Sequence, residues 1–212
     1  MSFDILAPHY RWMEWLLAGG KLQRCRTAFL GTIAPPSTVL IYGEGNGRFL
    51  SELCRRFPQA QITCVDASAA MIGKARQRLQ RNGLATSSIQ FIHADVLQWQ
   101  PPAATFDLVV THFFLDCFRE DQLRDLIPKI ATAAKPQATW LLADFKAVEG
   151  GLRGWRSFVI LGVMYLFFRW VTRLPAVHLT PPDAMLATAG FRLRERLEID
   201  WGMLHSDEWV RE

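Results

Sequence analysis

The chain has 212 residues, half of them apolar and 21% charged, with 14 Gly and 11 Pro; that balance excludes disordered, collagenous and low-complexity classes and suits one large domain. Its 24 Lys and Arg against 20 Asp and Glu give a formal charge of +4, a mild excess spread along the sequence that makes no nucleic-acid footprint. Cys25, Cys54, Cys64 and Cys117 form no C-x-x-C pair, so neither a metal site nor a disulfide framework is expected and a reducing, cytoplasmic setting is the default. The opening MSFDILAPHY lacks a basic start and a long apolar run, and does not read as a signal peptide. Residues 11–30 read as a helix packed on or over the core. Residues 38–42 (TVLIY) read as a buried strand, followed by a Gly-rich turn and a helix through Arg56. Residues 61–65 (QITCV) are the next strand. Ser68 then caps a helix with Met71, Ile72, Ala75 and Leu79 on one face, and Asn82-Gly83 ends it. Residues 89–93 and 106–110 are two more strands. Leu123, Leu126, Ile127, Ile130, Ala131 and Ala134 repeat at helical spacing, with Pro128 expected to kink or shorten that helix. Residues 138–145 are a fifth strand.

Strands alternating with helices predict a doubly wound, parallel α/β sheet. Past it come a long apolar helix at 155–173, a Pro-rich turn, a helix over 182–189, and two stretches, 191–200 and 202–210, that suit an antiparallel pair. No repeat or linker interrupts the chain, so a single domain is expected: an N-terminal helical lid over 1–36, a core over 37–146, an apolar helical cap over 147–190 and a closing hairpin over 191–212.

The strongest chemical signal is VLIYGEGNGR at 39–48, with Gly43, Gly45 and Gly47 between a strand and a helix. Such a turn needs unusual dihedrals and lets a ligand approach the backbone. Arg48 stands where the dinucleotide fingerprint has its last glycine, which favours a ligand without a pyrophosphate over a nicotinamide cofactor. Asp66 ends the second strand, where a carboxylate accepts from both ribose hydroxyls; its alternative is a helix N-cap, a role Ser68 already fills. Asp95 follows the third strand, placed to accept from an adenine amino group with the Val96 N–H beside it, or to serve as an ordinary turn residue. Three such sites at the carboxyl ends of successive strands make one crevice at a topological switch point.

YGEGNGR, VDAS at 65–68, HADV at 93–96 and FDLVVTHFFLDCF at 106–118 together resemble the class I S-adenosylmethionine-dependent methyltransferases. The resemblance implies a Rossmann-like seven-stranded sheet with its last strand antiparallel, and S-adenosylmethionine as cofactor. It extends the expected cofactor contacts from Gly43, Gly45, Gly47, Asp66, Asp95 and Val96 to Glu44, Asn46, Ala67, Met71 and Thr111. One position departs: Ile41 stands where many members carry an acidic residue, with Glu44 or backbone and water as the substitute acceptor for the cofactor's amino group. FDILAPHY at 3–10 is similar to the opening of the ubiquinone/menaquinone C-methyltransferases, with Arg11 where that group usually has Asp. That likeness implies Tyr10 in a lid over the cofactor and a helical cap before the closing hairpin.

Residues 155–170 (WRSFVILGVMYLFFRW) are apolar on every face of a helix, which fits a core helix, a wall of an apolar acceptor pocket, or a segment in a membrane interface. Its most apolar part, 157–168, is twelve residues closed by Arg156 and Arg169, too short for the ~18 apolar residues of a spanning helix. The acceptor expected is a hydrophobic small molecule or lipid-like compound carrying a phenol, quinol, carboxyl or amine, with peripheral membrane contact through the cap and no nucleic-acid partner. The segment THFFLD at 111–116 follows the fourth strand. His112 is the expected base, with a pKa near working pH, or a strand-end residue bonded to backbone; Asp116 is a second base, or a cap for the helix beginning near Arg119. Tyr165 and His178 are candidates to orient the acceptor. The alternative function is a non-catalytic cofactor-binding or membrane-associated partner protein on the same fold, with Ile41 marking a weakened site.

Overall fold

The computed structural model describes residues 20–146, 148, 150 and 179–212. Their strands form one sheet in the order β3-β2-β1-β4-β5-β7-β6. They are β1 Thr38–Tyr42, β2 Gln61–Asp66, β3 Ile89–His93, β4 Phe106–His112, β5 Ala134–Phe145, β6 Phe191–Ile199 and β7 Leu204–Arg211. β1 to β5 are parallel, and β7 lies antiparallel between β5 and β6. From β1 the chain steps outward to β2 and β3, then returns to the other side of β1 as β4. The connections diverge at that reversal, over the carboxyl ends of β1 and β4, which is where doubly wound sheets form their ligand crevice.

Helices α1 Lys21–Thr27, α2 Arg48–Arg56, α3 Ala69–Arg81, α4 Glu120–Ala133 and α5 Asp183–Thr188, with a short 3-10 turn at Leu115–Cys117, complete the described elements. Both faces of the sheet are covered, which is why TVLIY is apolar throughout rather than alternating. Leu40 and Tyr42 join Leu126, Ile127, Ile130 and Trp140 in one buried cluster, while Val39 and Ile41 join Phe49, Leu50 and Leu53 in another. Local signals set the helix ends. Ser68 Oγ accepts the Met71 N–H at 3.2 Å to open α3, and Gly83, at φ +65°, turns the chain out of it. In the hairpin, fully buried Asp207 accepts from Arg196 Nε at 2.7 Å and lies 2.9 Å from His205 Nδ1. That paired carboxylate ties β6 and β7 to the core without leaving a lone buried charge.

The strands and the closing antiparallel pair fall where the sequence placed them, with two extensions. β4 runs two residues further, to His112, and β5 begins at Ala134. Pro128 does not break its helix, since α4 is continuous from Glu120 to Ala133. The ring sits on the exposed side, so the Arg124 carbonyl that loses its N–H partner faces water rather than the core. The N-terminal helix ends at Thr27, and the part expected over 11–19 lies outside the described residues. So do the apolar helix expected at 155–173 and the candidates Tyr10, Tyr165 and His178. Among the described residues no helix is long and apolar enough to cross a membrane.

Candidate functional site

The loop that leaves β1 is built from three left-handed residues, Gly43, Gly45 and Gly47, at φ +64°, +68° and +81°. Glycine is required twice over at its two ends. A Cβ on Gly43 would sit 2.5 Å from Phe114 Cδ2, and one on Gly47 would sit 2.8 Å from Ala75 Cα. The first contact brings the chain after β4 down onto the loop, and the second lets α2 and α3 touch through backbone.

Asp66, at the tip of β2, reaches across to this loop. Its Oδ2 accepts the Gly45 N–H at 3.2 Å and its Oδ1 the Ser68 N–H at 2.9 Å. Ser68 provides the cap of α3, so the N-cap alternative for Asp66 falls away. Ala67 carries its carbonyl 3.1 Å from His93 Nε2, and Met71 is buried in the first turn of α3. Asp95 is exposed; its Oδ1 accepts the Leu97 N–H at 3.0 Å, a local turn bond, while Val96 beside it is buried. Both readings of Asp95 are therefore compatible with its place, since one oxygen holds the turn and the side chain faces outward.

Four expectations are altered by partners from other elements. Glu44 has one oxygen taken locally: its Oε1 accepts the Leu50 N–H at 3.0 Å in the first turn of α2. Burial pushes its carboxyl up to about 7, because desolvation outweighs the N–H bonds and the Arg26 charge that favour the anion. Thr111 does not offer its hydroxyl to a ligand. It is fully buried and accepts Trp140 Nε1–H at 2.8 Å, so only its backbone remains for that purpose. His112 is not poised near neutral pH. Burial, with a smaller push from the Arg26 charge, lowers it to about 3, and the ring sits edge-on to Phe49 with centroids 4.5 Å apart. Asp116 does not cap α4, where Gln122 Oε1 accepts the Arg119 N–H at 3.1 Å instead.

Asp116 faces a partner that sequence reading passed over. Asp144, at the end of β5, accepts the Asp116 N–H at 3.2 Å on Oδ2 and the Phe145 N–H at 2.9 Å on Oδ1. Both carboxyls are pushed up, chiefly by burial and, for Asp144, by the charge of Asp116. Two buried carboxyls this close share protons rather than ionise together. The signal for Asp144 was present, since an acidic residue near the end of a strand next to β4 stands one residue beyond the level of Asp66. Buried Arg26 of α1 was likewise missed; its guanidinium lies 5.1 Å from the Phe113 ring centroid and its charge reaches Glu44 and His112.

Aromatic rings crowd the same strand ends. Phe114 stacks on Tyr42 with centroids 5.7 Å apart and meets Phe118 at 5.1 Å, while Phe113 meets Phe145 at 5.2 Å. Tyr42 Oη, Asn46 Nδ2 and both ring nitrogens of His112 are buried with no hydrogen-bond partner among the described residues.

Residues 39–137 match the family model described as a methyltransferase domain. The chain is 34% identical over 113 residues to malonyl-[acyl-carrier protein] O-methyltransferase of Paenibacillus sp. (strain JDR-2), a match that takes in 52% of this chain and 39% of that one. It is 40% identical over 70 residues to trans-aconitate 2-methyltransferase of Rhodopseudomonas palustris (strain BisB18), covering 33% of this chain and 25% of that one. The chain thus spans well under half the length of these curated relatives. Among solved structures, mitomycin 7-O-methyltransferase MmcR superposes with a TM-score of 0.72 at 21% identity, over 100% of this chain and 61% of that one. N-methyltransferase NodS from Bradyrhizobium japonicum WM9, solved with S-adenosyl-L-homocysteine, superposes with a TM-score of 0.62 at 19% identity, over 90% and 83%. These two likenesses bear on the fold.

Proposed function

We propose that the chain is a class I S-adenosylmethionine-dependent methyltransferase that methylates a hydrophobic small-molecule or lipid-like acceptor. The observation that carries the reading is Asp66. A carboxylate at the tip of β2 is fixed by the Gly45 and Ser68 N–H groups against a loop of left-handed glycines. That is the arrangement a ribose diol needs: an acceptor of fixed orientation beside backbone that a ligand can approach closely. The buried, unpartnered polar atoms of Asn46 and His112 beside the loop fit the same group, since each lacks a partner that a polar ligand supplies.

When bound, S-adenosylmethionine supplies an electrophilic methyl group on a positively charged sulfur. The residues of this chain bind, orient and dry the site. Asp66 takes the ribose hydroxyls, Asp95 and the Val96 N–H take the adenine edge, and Met71 packs beside them. Two ring pairs, Phe114 with Phe118 beside Tyr42 and Phe113 with Phe145, exclude water and favour an apolar acceptor. Loss of a positive charge during transfer is not opposed by a dry site, and holding two reactants in line is worth ~7–11 kcal/mol of barrier. Asp116 takes the proton of a phenolic, enolic or carboxylic acceptor. Burial has raised its basicity, and Asp144 holds the pair to a single charge. His112, lowered to about 3, stays neutral and is not the base.

Calorimetric titration with S-adenosylhomocysteine, followed by an acceptor panel of phenols, quinols, fatty acids and lipid amines read by S-adenosylhomocysteine release, tests the proposal. Micromolar cofactor binding with turnover of an apolar acceptor is expected. No binding at millimolar concentration overturns it, and turnover confined to sugars or nucleic acid overturns the acceptor class.

A further inference from the structure

Two ring nitrogens are buried at the carboxyl end of β4 with no hydrogen-bond partner among the described residues. His112 is the last residue of β4, one position beyond the Tyr42–Thr111 pair that closes the β1–β4 ladder, which sets it beside Gly43. The residue is only 7% exposed, and neither Nδ1 nor Nε2 has a hydrogen-bond partner among the described residues. A buried imidazole is ordinarily bonded on at least one side, and leaving it otherwise is costly. The acidic side chains nearest the loop do not serve this corner. Position 41 is a buried isoleucine, Glu44 is turned onto the Leu50 N–H, and Asp66 is held by Gly45 and Ser68 on the β2 side.

We infer that the His112 ring is the acceptor for the α-ammonium group at the amino-acid end of the cofactor. The chemistry is complementary. A neutral imidazole has one nitrogen with a free lone pair and cannot repel a cation, and an ammonium carries three donors and no acceptor. Neutrality is secured by burial and by the Arg26 charge. The edge-on packing against Phe49 fixes the ring plane. His112 is then a cofactor-binding residue, doing by a neutral side chain what an acidic residue at position 41 would do by charge. This inference rests on the proposed cofactor site and adds the identity of one contact in it.

The test compares two ligands that differ only at this end. S-Adenosylhomocysteine carries the amino acid, while 5′-methylthioadenosine keeps the nucleoside and thioether without it. Calorimetry is run on the full chain and on two variants, His112→Phe, which preserves ring packing, and His112→Gln, which restores a carbonyl acceptor; circular dichroism checks that each is folded. A hydrogen bond to a charged group corresponds to a loss of about 10- to 100-fold in affinity. His112→Phe should lose that much toward S-adenosylhomocysteine, keep its affinity for 5′-methylthioadenosine within about twofold, and be largely rescued in His112→Gln. Unchanged S-adenosylhomocysteine binding, or an equal loss for both ligands, overturns the assignment of His112 while leaving the cofactor site standing. Absence of binding of either compound to the unaltered chain overturns both.

Discussion

Replacing Gly47 by alanine tests how the cofactor loop is held. Gly47 has φ +81°, and a Cβ there would lie 2.8 Å from Ala75 Cα and 3.1 Å from Ala75 Cβ. The left-handed backbone costs an L-residue ~1–2 kcal/mol. The clash is with helix backbone, which cannot swing aside as a side chain can, so α3 must shift, an overpacking cost of ~1–3 kcal/mol. Together the loss is about 2–5 kcal/mol, a large part of a typical domain stability of ~5–15 kcal/mol. Gly83 is the internal control: its φ is +65° but nothing lies within 4 Å of the built Cβ, so Gly83→Ala carries the backbone cost alone. In urea unfolding, with a slope near 3 kcal/mol per molar, the Gly47→Ala midpoint should fall below that of Gly83→Ala by ~0.3–1 M. The same variant should weaken S-adenosylhomocysteine binding, because moving α3 moves Ser68 and, through it, Asp66. Equal midpoints for the two variants would refute the claim that α2 and α3 touch through Gly47.

Asp66→Ala should abolish measurable S-adenosylhomocysteine binding while far-UV circular dichroism stays near the unaltered spectrum; tight binding by that variant would remove the ribose site from Asp66. Glu44 is pushed from an ordinary 4.5 up to about 7, so its folded state keeps a proton that the unfolded chain releases, and stability is lost as pH rises through that window. Glu44→Gln should therefore be more stable than the parent at pH 8 and equal to it near pH 4 by urea titration. His112 is lowered from 6.5 to about 3, so the unfolded chain takes up a proton first and this contribution to stability falls as pH drops below 6.5. The His112 ring C2–H resonance should hold its chemical shift from pH 8 to pH 5, and a titration step in that range would contradict the burial described. Asp116→Asn should lower kcat for hydroxyl acceptors by about 100-fold or more with little change in S-adenosylhomocysteine affinity, measured by product release and calorimetry.

The sheet was legible because its signals are local. TVLIY, QITCV and the Ser68 cap each fix an element from neighbouring residues, and the alternation of strand and helix fixes the winding. Pro128 does not end its helix because packing of the Leu123, Leu126, Ile127 and Ile130 face outweighs one lost N–H bond, and that packing is not written in the local sequence. The candidate site divides the same way. Gly43, Gly47 and Asp66 announce themselves by spacing from the strands. The directions of Glu44 and Thr111 do not, since each is decided by a partner brought from another element: the Leu50 N–H for the first, Trp140 Nε1 across the β4–β5 ladder for the second. Asp144 was overlooked because its role depends on Asp116, 28 residues earlier, and only the β4–β5 pairing joins them.

The distribution of polar satisfaction argues that this crevice exists to be filled. Away from it, buried charge is well served. Asp207 is met by Arg196, His205 and Trp209, and even half-buried Asp107 at the opposite end of β4 is met by Lys135 and Thr38. At the carboxyl ends of β1 and β4 the pattern reverses: Tyr42 Oη, Asn46 Nδ2 and the His112 nitrogens lack partners among the described residues, with Gln23 Oε1 on α1 the remaining case. Each such side chain costs ~1–3 kcal/mol, so the three at the crevice forgo on the order of 3–9 kcal/mol, comparable with the whole stability of many domains. A fold that pairs Asp207 four ways does not lack the means to pair a histidine. The cost is tolerated where a polar ligand returns it on binding. It also explains why the groups left waiting are a neutral ring, an amide and a hydroxyl rather than charges, which would be far more expensive to hold dry in the ligand-free protein.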